Sequence, residues 1–148
     1  MNQTGHENRA GELMKELDSL LLVSRGARRT EANAKLAIEQ ANTEMEQLQA
    51  RLYVSLSQDV SIDWKSPNPV LDPDGTPMPE FEVQWQTMLM NTLIQEDAEF
   101  VSLATKLEDA QKQNYTAQHE SLAAMTEIGV KKAQLRVISA LLEVSSES

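Results

Sequence analysis

At 148 residues the chain is about one domain long. It is 41% hydrophobic but only 4% aromatic, which is thin for a globular core and suits helices that each bury one stripe. The formal charge of −10 disfavours phosphate backbones and anionic lipid as partners, and the lack of cysteine excludes disulfides and thiolate metal sites.

Residues 1–7 are polar and read as a disordered lead. They hold no apolar targeting core, so the expectation is synthesis in the cytoplasm without a classical signal peptide, with the final location open and a larger assembly one destination. The longest apolar run nearby, Leu20-Leu21-Leu22-Val23, is far short of the roughly 20 residues a membrane span needs.

The first helical arm is expected over 8–58, with Asn8 as its cap. Leu13, Leu17, Leu20, Ser24, Ala27, Glu31, Ala34, Ile38, Ala41, Met45, Leu48 and Leu52 alternate by four and three residues. A period of 3.5 places one narrow stripe along a helix, and only another helix can cover it. Gly26 is a weak point, but the stripe keeps its phase across it, so one long helix is favoured over two.

All five prolines fall between Pro67 and Pro79, which makes 59–79 the connection. Val60, Ile62 and Trp64 alternate with polar residues, the pattern of a short extended piece. Asp72-Pro73-Asp74-Gly75 signals a turn; as a calcium loop it lacks the further ligands in register, so no metal or other cofactor is expected.

The second arm is expected over 80–144, started by Pro79 with Glu80 and Glu82 at the positive end of the helix dipole, and followed by a frayed tail at 145–148. Its stripe is Leu89, Leu93, Glu96, Phe100, Leu103, Leu107, Ala110, Asn114, Ala117, Ser121, Ala124, Ile128, Lys131, Leu135, Ile138 and Leu142. Folding the chain about residue 69 pairs positions summing to about 138, with Ile38 on Phe100 and Ser24 on Asn114, as in antiparallel helices of about 1.5 Å rise per residue.

That register leaves the arm beyond Met125 unpaired. The aliphatic residues there, Val130, Val137 and Val144 included, are expected to be covered by another chain or by a kink that folds them back, with Ile128, Leu135, Ile138, Leu141 and Leu142 as the expected interface. Trp64, Phe81 and Trp85 cluster around the connection and either cap the hairpin or form a recognition tip, the cap being favoured. Arg25, Arg28 and Arg29 are a solvated basic face able to pair with the acidic stretch around Glu108 and Asp109. His119 lies between Gln118 and Glu120, and no nucleophile, acid and base come together, so the chain does not read as an enzyme.

The expected fold is all-α: a long antiparallel, coiled-coil-like helical hairpin with a proline-rich connection. The alternative is a four-helix bundle broken near Gly26 and within 111–118. The expected function is that of a non-enzymatic structural or assembly protein, a subunit of a filament, virion, or secretion or motility apparatus. It would pair helices with itself or with a helical protein partner, with no nucleic-acid partner and no membrane span. The alternatives are a small acidic helical chaperone or adaptor for a secreted or assembling partner, and an acidic inhibitor that mimics nucleic acid.

Overall fold

The computed structural model describes residues 3–147. It is all-α, with α1 at Gln3–Ser57, α2 at Pro79–Glu96 and α3 at Ala98–Glu147. Residues 3–7, expected as a disordered lead, are helical, and α1 runs through Gly26 unbroken. Met1 and Asn2 lie outside the described residues, as does Ser148 of the expected tail; residues 145–147 continue α3.

The chain divides into two compact units, each formed in part by α1 and α3 packed as an antiparallel, hairpin-like pair. Unit 1 is residues 1–36 with 110–148, and unit 2 is residues 37–109.

In unit 1 the α1 stripe is the covered face. Leu13, Ser24, Ala27 and Ala34 are buried, and Leu17, Leu20 and Glu31 are half-buried. On α3, Ala110, Ala117, Ser121 and Ala124 are buried, while Asn114, Ile128, Lys131, Leu135, Ile138 and Leu142 are half-buried. Small residues at Ala27, Ala34, Ala110, Ala117 and Ala124 recur every seventh position and let the two backbones approach closely.

Two contacts fix the register here. Glu16 pairs with Lys131 at 3.0 Å, and the Arg28 guanidinium donates to the Met125 sulfur at 3.9 Å. With 3.5-residue periodicity these give paired seam positions summing to about 148, roughly ten residues from the expected register, or about 15 Å along the helix. Ser24 then belongs opposite Ala124, not Asn114. The connection at 58–78 lies close to its expected place, so the register of this unit is set by its own contacts and not by a pivot at residue 69.

The shift also corrects the expected overhang. The segment beyond Met125 is packed within unit 1, along residues 3–36 of α1. Arg28 contacts Met125.

Unit 2 holds three helical segments. Ala41, Leu48, Met90, Ile94 and Leu103 are its buried apolar residues. The second arm, expected as one helix, breaks at Asp97, whose backbone is extended (φ −61°, ψ 131°). Its Oδ1 accepts the amides of Glu99 (3.0 Å) and Phe100 (3.1 Å), so one residue stops α2 and caps α3. The break moves the seam by one position: Met90 and Ile94 are buried beside Leu89 and Leu93, and Glu96 is exposed, not on the seam.

Residues 58–78 form turns, with no extended piece at 60–64. Asp59 Oδ1 accepts the amide and hydroxyl of Ser61, Asp63 Oδ1 accepts the Lys65 amide, and Val60 is fully exposed. At 70–78 a small loop closes through Met78 N–H to Val70 O (2.8 Å) and a bridge between Leu71 and Pro77. Gly75 at φ +79° occupies the left-handed position that the tight turn requires.

Candidate functional site

The first surface lies on α3 in unit 1. Starting at Ala123, the positions 123, 126, 130, 133, 137, 140 and 144 alternate by three and four residues and hold Ala, Thr, Val, Ala, Val, Ala and Val. All seven are exposed, with Val130 at 50%, Val137 at 61% and Val144 at 65%. On a 3.5-residue period this stripe sits on the far side of the helix from the buried one, so this half of α3 carries two apolar seams. One is packed inside the unit and the other is bare.

Of the five residues expected at an interface, Ile128, Leu135, Ile138 and Leu142 belong to the covered seam, where they are half-buried, and Leu141 is 43% exposed. The free face is instead the valine–alanine stripe. Its signal is in the sequence, because the same alternation that reveals the inner seam also picks out positions 123 to 144.

Lys131 reaches the edge of the covered seam and is satisfied there. Its ammonium group beside Glu16 holds that carboxyl below the ordinary value of 4.5, with Arg9 adding to the effect from 3.7 Å. Asn114, the other seam interruption in this stretch with a long polar side chain, keeps a buried Oδ1 with no hydrogen-bond partner in unit 1.

The second surface is a groove of about 540 Å³ in unit 2, a volume within the range of small-ligand sites. Gln49, Tyr53 and Ser57 line it from the last turns of α1, and Trp64 from the connection. Met90 and Ile94, both buried, form its base, and Gln86 and Asn91 carry amides along α2. No charged side chain lines it.

Of the expected aromatic cluster, only Trp64 lines the groove; Phe81 is 38% exposed, and Trp85 is half-buried with its indole N–H unpartnered.

Charge is sharply divided between the units. Unit 2 holds 14 acidic and 3 basic residues, while unit 1 holds 9 acidic and 10 basic ones. The acidity of the chain is therefore local to residues 37–109. Total charge hides this, and only the division of the chain reveals it.

Among the described residues no three His, Cys, Asp or Glu side chains converge on a metal site. Asp72 Oδ1 is occupied by the amides of Asp74 and Thr76, both at 2.9 Å, which makes it a turn residue. His119 is exposed and stacks at an angle on Tyr115, with ring centroids 4.3 Å apart. Among the described residues no helix is long and apolar enough to cross a membrane. No protein-family model, curated protein or solved structure matches the chain.

Proposed function

We propose that this chain is a non-enzymatic assembly protein that pairs with a second copy of itself through the outer stripe of α3. The single observation behind this reading is the exposed valine–alanine alternation from Ala123 to Val144. Its period calls for a helix as the covering element. Its composition suits its own copy: in an antiparallel pairing each valine faces an alanine or a threonine, so bulk meets gap on both sides, as a two-fold interface requires. The small formal charge of unit 1 adds little repulsion, unlike the strongly acidic unit 2.

The affinity is modest. Covering the exposed half of each valine recovers about 1 kcal/mol, or roughly 6 kcal/mol over six valines, and the loss of translational and rotational freedom opposes this with a similar magnitude. The expected behaviour is a monomer–dimer equilibrium that shifts with concentration, supported by further contacts at the flanking Leu122 and Leu141, which are 64% and 43% exposed. Light scattering and sedimentation from about 5 to 500 µM test it. Wild-type mass should rise with concentration, and Val130→Glu/Val137→Glu, altered only at exposed positions, should keep its helicity and remain monomeric. A wild-type mass that stays at one chain throughout rejects the reading.

A further inference from the structure

We infer that the unit 2 groove is a binding site for an extended peptide segment bearing Lys or Arg. This goes beyond the self-pairing reading and stands or falls separately, because no residue of the groove lies in the α3 stripe.

The lining selects the ligand class. Gln49, Gln86 and Asn91 each offer both a donor and an acceptor, which matches the alternating C=O and N–H groups of an extended backbone. Met90 and Ile94 give an apolar base for one side chain, and methionine adapts its shape to what it contacts. Tyr53, 59% exposed, and Trp64 bring two aromatic rings to the lining, and the face of such a ring attracts a cation.

Charge complementarity decides the sign. A groove without charges of its own sits in a unit with an excess of eleven carboxylates over cations. Glu46 is one turn before Gln49 on α1, and Glu82 one turn before Gln86 on α2, so acids flank the amides on both helices. Glu82 also holds the connection by accepting the Ser66 amide at 3.2 Å. Such a field draws in Lys or Arg without committing a carboxylate to a desolvated ion pair, and a nucleic-acid or acidic ligand is repelled.

The test is fluorescence anisotropy with a labelled tetrapeptide of two lysines, one arginine and one leucine, and with a counterpart in which glutamates replace the cations. The basic peptide should bind, weakening by about tenfold between 50 and 300 mM salt, and the acidic one should not. Gln49→Lys/Gln86→Lys, at exposed positions in the groove, should weaken binding at least about tenfold. Thr43→Lys/Gln47→Lys adds the same charge at exposed positions of α1 outside the groove and should cost less than about threefold. Equal losses from the two lysine pairs would reduce the effect to diffuse attraction and overturn the site. So would comparable binding of the acidic peptide, no binding up to about 1 mM, or self-association abolished by the groove lysines, which would assign the groove to a second copy.

Discussion

The alanines of the covered seam make the sharpest structural prediction. Ala117 is 1% exposed and lies on the face of α3 that packs in unit 1. Leucine there adds three carbons where two backbones approach closely. The helices must separate, or neighbouring side chains must leave their rotamers, at a cost of about 1–3 kcal/mol. For a chain of 148 residues each kcal/mol moves the melting temperature by roughly 2–4 °C, so Ala117→Leu should melt about 2–12 °C lower.

Ala123→Leu provides the control. It makes the same chemical change on the same helix at an exposed position of the outer stripe. Helix propensity differs little between the two residues, so its effect on folding should stay within about 0.5 kcal/mol. Thermal unfolding followed by circular dichroism at about 5 µM, low enough to keep self-pairing out of the measurement, compares the two. If Ala117→Leu melts at or above Ala123→Leu, the close approach at the inner seam is wrong.

Two further outcomes follow from single residues. A Cβ at Gly26 meets nothing within 4 Å and the residue is helical, so Gly26→Ala should stabilise α1 by up to about 1 kcal/mol in the same assay. Acid should weaken unit 1 through Glu16, whose carboxyl titrates lower when folded than when unfolded: its contribution is complete above the ordinary 4.5 and disappears as pH falls through the depressed folded value. Melting temperatures between pH 6 and pH 3 should therefore fall less steeply in Glu16→Gln than in wild type, and identical slopes would exclude the Lys131 pair as a contributor.

The α1 stripe was fully legible, because a 3.5-residue alternation of apolar and small residues has one physical solution, a helix covered by another helix. Every stripe position from Leu13 to Leu52 is buried or half-buried. Register was not legible. A seam in which Ala, Leu, Ile and Ser recur tolerates a slide of several turns, and the pairs that select the register, Glu16 with Lys131 and Arg28 with Met125, are single contacts between residues far apart in sequence. The break at Asp97 was missed for a different reason. Glu96-Asp97-Ala98-Glu99 reads as a carboxylate run, but an aspartate followed by three helix formers is also an N-cap, and only the burial of Met90 and Ile94 in place of Glu96 shows which role applies. The groove could not be read at all, since it joins residues from Gln49 to Ile94 across three segments.

The outer valines are expected to need cover along with Ile128, Leu135 and Leu142, but the sequence does not separate the two stripes readily, because seams on opposite sides of one helix cancel as amphipathicity. Summed around α3, Val130, Val137 and Val144 offset Ile128, Leu135 and Leu142, with Glu127, Lys132, Gln134 and Arg136 on the flanks between them, so no single apolar side stands out. The half of α3 before Ala123 behaves differently: its outward positions are Asp109, Lys112, Thr116 and His119, a face suited to water. Within one continuous helix the outward face thus changes from polar to apolar at Ala123, while the inward face remains a seam throughout. Packing inside unit 1 requires only the inward face. An uninterrupted 3.5-residue alternation over seven outward positions serves no contact within the unit, and this is the physical reason to look for a second helix against residues 123–144.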